Sequence, residues 1–219
     1  MLRTAFFPIL VFSNDLNNLQ LLQNILNAIK NLRPHFETDE MCFMALNGGF
    51  EFELKNKLAY QLNENNTNDN LVFVKEVTIR NNDNSKIVDV AGIEKSNPNS
   101  IAYAIELGHN YISQPTEFVF NKANEDIRKC NEAGIDNEIY LVQIVTEILA
   151  MIEDAKFIMK KSYHNEAVNN IKQNATESKL TDIRNFYQNN FGNFKEFKFS
   201  SKWKGNKTNI YIFVVSKNN

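Results

Sequence analysis

The sequence predicts an α+β domain, and three observations carry that class. Alternating, β-branched runs come in pairs separated by turn residues. Longer stretches repeat apolar residues every three to four positions. A last pair of strand-like runs follows the helical stretch, as expected where strands and helices are segregated along a chain. One domain over residues 1–219 accounts for this: β-rich over 1–95, helical over 97–190, and a C-terminal hairpin over 194–216 that returns to the first sheet.

Phe6–Phe12 reads as a first strand. The run contains Pro8 and ends in Ser13-Asn14-Asp15, without the small-x-small site of a signal peptide. Leu16, Leu19, Leu22, Ile25, Ile29 and Leu32 then follow a helical period that Pro34 closes. Glu40–Leu46 and Phe50–Leu54, joined by Asn47-Gly48-Gly49, read as a hairpin, and Asn63–Asn70 as a polar loop. Leu71–Arg80 and Lys86–Ile93 form a second strand pair around Asn81-Asn82-Asp83-Asn84.

From Asn97-Pro98-Asn99-Ser100 the pattern reads as helical. One helix runs to about Ser113 and stops before Pro115; the next covers Glu117–Glu132, with Gly134 placed as its C-cap. A long third helix is expected over Asn137–Lys161, on the stripe Leu141, Val145, Ile148, Ile152, Ala155 and Met159. Shorter helices lead to Asn190. Phe194–Trp203 and Thr208–Ser216 close the chain. The second of these is apolar on both faces, which suits an interior strand.

Composition narrows the chemistry. The formal net charge of -2 gives no global field for nucleic acid or acidic membranes, and no run approaches a membrane span. Nucleic acid is therefore not an expected partner, and a protein is. The seven glycines form no phosphate-cradling loop. Cys42 and Cys130 stand apart in apolar surroundings and read as buried thiols rather than a disulfide framework.

One constellation suggests chemistry: Ile105-Glu106-Leu107-Gly108-His109, with an apolar lead-in and Tyr111 after it. It resembles the active-site helix of the zincin metallopeptidases, H-E-x-x-H, and among those the zinc peptidases secreted as bacterial effectors. The resemblance covers about a dozen residues. It implies a helix on which Glu106 is the general base and His109 a zinc ligand, with Glu153 on a later helix as third ligand. Ile105 stands where the first histidine belongs and cannot ligate. What the resemblance implies is a degenerate, pseudopeptidase-like scaffold with a vestigial site that acts by binding. No cofactor is expected, and zinc is the one metal it would admit. The chain would then work in the cytoplasm, or as an effector exported without a recognisable signal peptide.

The residues allow plainer readings as well. Glu106 and His109 at i,i+3 could form an ordinary helix-surface pair. The run Phe197-Lys198-Phe199 with Lys202, Trp203 and Lys204 interleaves aromatics and lysines, so it is a candidate partner-binding surface. It reads equally as an edge strand with Phe197 and Phe199 inward and lysines outward. The alternative function is thus a non-enzymatic interaction module that uses its helical surface or this hairpin.

Overall fold

Leu21, Ile25, Ala28 and Ile29 recur at helical spacing, and all four are buried along the helix α1, Val11–Asn31. The computed structural model describes residues 11–47, 49–81, 84–135, 139–150, 153 and 176–217. Of the strand expected over Phe6–Phe12, residues 6–10 lie outside that range, and Val11 and Phe12 are helical. The short helix α2, Arg33–Phe36, carries Pro34 in its first turn, where a missing N–H leaves nothing unpaired.

The hairpin expected over residues 40–54 is instead two helices, α3 (Asp39–Asn47) and α4 (Phe50–Glu64). Met41, Cys42, Ala45 and Leu46 are buried at i, i+1, i+4 and i+5, and Phe50, Leu54, Leu58 and Leu62 at every fourth position. The alternation of Phe50, Phe52 and Leu54 misleads, because Phe52 is 54% exposed while its neighbours in that series are sealed. Thr38 caps α3 by accepting the Met41 N–H, and acidic residues fill the first turns of α3 and α4.

The strands β1 (Leu71–Asn81) and β2 (Asn84–Glu94) form the antiparallel pair expected there. Two further expectations are corrected. Residues 101–111 form a strand, β3 (Ile101–Tyr111), and not a helix. Ile139–Ala150 is likewise a strand, β4, where the long helix was expected; the rest of that expected helix lies outside the described residues, apart from helical Glu153. Both strands are covered on both faces, so they lose the alternation that would reveal them. Ile139–Thr146 is buried at every position, and a three-to-four spacing can be drawn through any such run.

Between them, α5 (Thr116–Glu132) forms on its expected range and ends at Gly134, whose φ of 79° suits the C-cap role. The helix α6 (Thr176–Phe191) precedes the hairpin β5 (Phe194–Trp203) and β6 (Asn206–Lys217). The six strands make one mixed sheet in the order β1-β2-β3-β4-β6-β5. β3 and β4 are parallel, joined by the crossover through α5, and every other neighbouring pair is antiparallel. As expected, the class is α+β, the terminal hairpin rejoins the sheet, and β6 is an interior strand.

The helices form two layers. Leu54, Leu58, Ile105, Leu107, Ile144 and Ile212 belong to a core between the sheet and α1–α4. Val119, Ala123, Leu141, Ile183, Tyr187 and Phe213 belong to a core on the other face, under α5 and α6. Among the described residues no helix is long and apolar enough to cross a membrane.

The helical assignment of 50–64 is directly testable. Phe50→Ala should destabilise the protein by about 3–5 kcal/mol in urea unfolding, and Phe52→Ala by less than about 1 kcal/mol. Equal losses would favour the hairpin.

Candidate functional site

The site begins where two strands part. β2 and β3 pair from Ile93↔Ile101 to Val90↔Ile105, with a shift of register between Gly92 and Ile93, and beyond Val90 β3 continues beside β4 alone. Asp89, the next residue of β2, occupies the split, and its Oδ2 accepts the Leu107 N–H at 2.8 Å. A carboxylate thus takes the place of a strand carbonyl. Opposite it on β1, Glu76 adopts φ 54°, an uncommon conformation for a residue with a Cβ.

Charged side chains reach the split from both layers. From α4, Lys55 lies 2.9 Å from Asp89, 3.5 Å from Glu51 and 3.8 Å from Glu76. From α5, Lys122, Asp126 and Lys129 project at i, i+4 and i+7, along one helical face. Lys129 is paired with the fully buried Glu106 of β3 and lies 3.9 Å from Asp126. Lys122 is 2.9 Å from Asp126. Gln143 of β4, also fully buried, donates its Nε2–H to Asp126 at 3.3 Å. The Cys130 thiol faces Glu106 Oε1 at 3.5 Å.

The cluster holds more carboxyl groups than cations. Glu51, Glu76, Asp89, Glu106 and Asp126 face Lys55, Lys122 and Lys129, and five minus three leaves two negative charges when all are ionised. The titrations reflect burial first and the neighbouring charges second. Burial, reinforced by the charge of Asp89, pushes Glu106 up to about 8 against the pull of Lys129. Burial and then Asp89 raise Glu51; burial raises Asp126 despite Lys122. Burial works against Asp89 too, but the Leu107 amide and the Lys55 ammonium hold it below the ordinary carboxylate range. Burial, followed by the charge of Glu106, pushes the Cys130 thiol up, which disfavours the thiolate.

The cluster meets solvent at an open cleft of about 700 Å³ lined by Lys55, Glu76, Ser85, Lys86, Asp89 and Lys129, among others. Perturbed carboxyls beneath a cleft are what functional sites present.

The residues singled out from sequence are dispersed. Ile105 is sealed in the core beneath α4. Glu106 points to the other face, toward α5, and His109, three residues on in a strand, points back toward Phe50 and Tyr111. His109 shares a 2.9 Å hydrogen bond with Thr146. Glu106 and His109 therefore do not share a face. Glu153 is exposed. Among the described residues no set of three His, Cys, Asp or Glu side chains could hold a metal ion.

On the hairpin, β5 is an edge strand with Phe197 turned toward the core under α1–α4. Trp203 packs edge-on against Phe43 at 5.1 Å. Lys198 covers the Tyr211 ring, Lys204 covers Trp203, and Lys202 is exposed opposite Lys207.

Asp89, Asp126, Gln143 and the three lysines went unremarked in the sequence. A signal for three of the cluster's members was present: Asp89 in Ile87-Val88-Asp89-Val90, Glu106 in Ala104-Ile105-Glu106-Leu107 and Gln143 in Leu141-Val142-Gln143-Ile144 each interrupt an apolar run with one polar group. A buried polar residue is more informative than any exposed one. Comparison with family models, curated proteins and solved structures gives no match.

The raised titration of Glu106 has a sign. The unfolded chain loses this proton near the ordinary value of 4.5 and the folded chain near 8, so the folded state binds more protons between them and loses stability as pH rises through that window. The melting temperature of the wild type should fall between pH 5 and pH 9, and that of Glu106→Gln should fall less. Parallel curves would mean that Glu106 titrates normally.

Proposed function

We propose that the chain is a divalent-cation-dependent hydrolase of phosphate esters, with its centre at the split between β2 and β3. The observation that carries this is the gathering of five carboxyl groups, of which Asp89, Glu106 and Asp126 are buried, beside an open cleft. Buried carboxylates are costly, and a divalent cation would stabilise their ionised forms.

The donor set indicates which cation. Asp89 and Glu106 offer only carboxylate oxygens, which suit Mg²⁺ or Mn²⁺ better than a soft metal. Mg²⁺ is commonly held by one or two carboxylates, with water and a substrate phosphate completing its shell. Two acids on either side of the split supply that number, and Asp89 lines the open cleft.

The cleft indicates the substrate. Lys55, Lys86 and Lys129 line it, and ammonium groups hold phosphate oxygens. The bound cation would contribute the polarisation of a phosphoryl oxygen. Asp89 is suited to stay ionised as an anchor, since the Leu107 amide and Lys55 hold its titration down. Glu106 has to release its proton before it can ligate, so cation affinity should rise with pH up to about 8. Lys129 is paired with Glu106 and lies at the cleft, placed to meet an incoming phosphate.

This reading departs from the peptidase-like expectation in its chemistry. Glu106 works with Asp89 across a strand split, and no histidine takes part.

The test is Mn²⁺ binding by calorimetry together with hydrolysis of bis(4-nitrophenyl) phosphate in Mg²⁺ or Mn²⁺. Wild type should bind one Mn²⁺ and hydrolyse the ester, with activity lost to chelator. Asp89→Asn should weaken Mn²⁺ binding by roughly tenfold or more. A wild type that ignores millimolar Mn²⁺, or an Asp89→Asn variant of unchanged affinity, would overturn the reading.

A further inference from the structure

We propose that the outer edge of β5 is a docking site for an extended acidic segment of a partner protein, added to the sheet as a further strand. The sheet ends in β1 on one side and β5 on the other. An edge strand presents unpaired N–H and C=O groups, and folds commonly cover or bend such an edge. β1 is treated in that way: Asn63 of α4 bonds both backbone groups of Phe73, Asn66 donates to the Leu71 carbonyl, and Glu76 turns the strand through its positive φ. β5 has none of these devices. It pairs with β6 over all 10 of its residues without a shift of register, and it holds no proline and no residue of positive φ. Among the described residues, the one side chain that bonds to the β5 backbone is Asn206, at the Trp203 carbonyl beside the turn.

The open edge is marked by charge. Lys195, Lys198 and Lys202 of β5, Lys204 of the turn and Lys207 of β6 are exposed, and among the described residues none of them is ion-paired. Glu196, the one acid between Phe194 and Lys207, is held by Arg184 through both carboxylate oxygens. Five lysines less one glutamate leave +4 on this stretch of a chain whose net charge is -2. Lys198 lies over the Tyr211 ring and Lys204 over Trp203, contacts that leave both charges unneutralised. Lysines on an edge keep like edges apart, which accounts for the three on β5. It does not account for the other two. Lys207 belongs to an interior strand and directly faces Lys202, where like charges are destabilising. Lys204 adopts φ 45° in a two-residue turn with Gly205, a position that asparagine or glycine fills more readily. Both residues place positive charge beside the edge at a cost in stability, and an anionic partner would offset that cost.

The edge and the charge together select the partner. Unpaired backbone groups are met by another main chain, which gives affinity, while alternate side chains give specificity. Lys198, Lys202 and Lys207 share one face of the sheet, since the first two are an even number of residues apart and the third is paired with Lys202. A strand with acids at alternate positions would set carboxylates against that face, in the favourable cross-strand arrangement of opposite charges. The same lysines repel a second copy of β5. A single-stranded nucleic acid would need aromatic rings to stack on, and Phe197 and Phe199 are turned into the core while Trp203 packs against Phe43.

The experiment adds a fluorescein-labelled peptide of alternating glutamate and threonine to the full chain and follows binding by anisotropy and by hydrogen exchange. The peptide should bind, and its counterpart with lysine for glutamate should not. Binding should slow exchange at the outward-facing amides of β5 and leave β1 unchanged. The double variant Lys198→Glu, Lys202→Glu should fold, because the second change sets opposite charges on the pair with Lys207. It should bind the acidic peptide roughly tenfold or more weakly. Lys204→Asn should melt at a higher temperature than wild type and bind more weakly. Failure of the acidic peptide to bind the folded wild type would overturn the inference, and so would binding that leaves exchange in β5 unaltered. Tighter binding of oligothymidylate or of phosphatidylserine vesicles than of the peptide would also overturn it, in favour of a nucleic acid or a membrane.

Discussion

The fold depends on what happens just past the Val90–Ile105 pair. Strands that continue side by side satisfy one another's backbone groups, and a strand that leaves its neighbour exposes N–H and C=O groups to be paired elsewhere. Asp89 resolves this at Leu107 by offering a side-chain oxygen where β2 no longer offers a carbonyl. The substitution brings a negative charge into the plane of the sheet. That charge then acts on both sides: it attracts Lys55 from α4 and adds to the burial that raises Glu51 and Glu106.

A sheet covered on both faces separates its two helical layers. Here the split lets them share one charge network, with Lys55 on one side and Lys122, Asp126 and Lys129 on the other. Buried ion pairs of this kind often contribute no more stability than well-packed apolar residues would. Glu106, Asp126 and Gln143 lie where apolar side chains would serve the core as well, among Ala104, Ala123 and Leu141.

Much of the fold was legible in the sequence, and the failures share one cause. α1, α5, the β1–β2 pair and the terminal hairpin each show a single clear period and were read correctly, because each has one buried and one solvated face or a diagnostic turn. β3 and β4 were read as helices because both faces are covered, which erases alternation and leaves a continuous apolar run. α3 and α4 were read as a hairpin because Phe52 mimics a buried position while its ring lies under the Lys75 ammonium. The error at β3 carried over to the site. On a helix Glu106 and His109 are near neighbours; on a strand an odd separation sends them to opposite faces. Asp89 and Gln143 belong to strands far from Glu106 in sequence, so no local spacing could join them.

The central claim is that Asp89 holds the split between β2 and β3 by pairing the Leu107 amide. Hydrogen exchange at that amide tests it most directly, in wild type, Asp89→Asn and Asp89→Ala. The account predicts a protected Leu107 in wild type and in Asp89→Asn, whose side-chain oxygen can still accept. In Asp89→Ala, Leu107 should exchange faster while Ile105, within the paired part of β3, is unchanged. Equal protection of Leu107 in all three proteins would contradict the account.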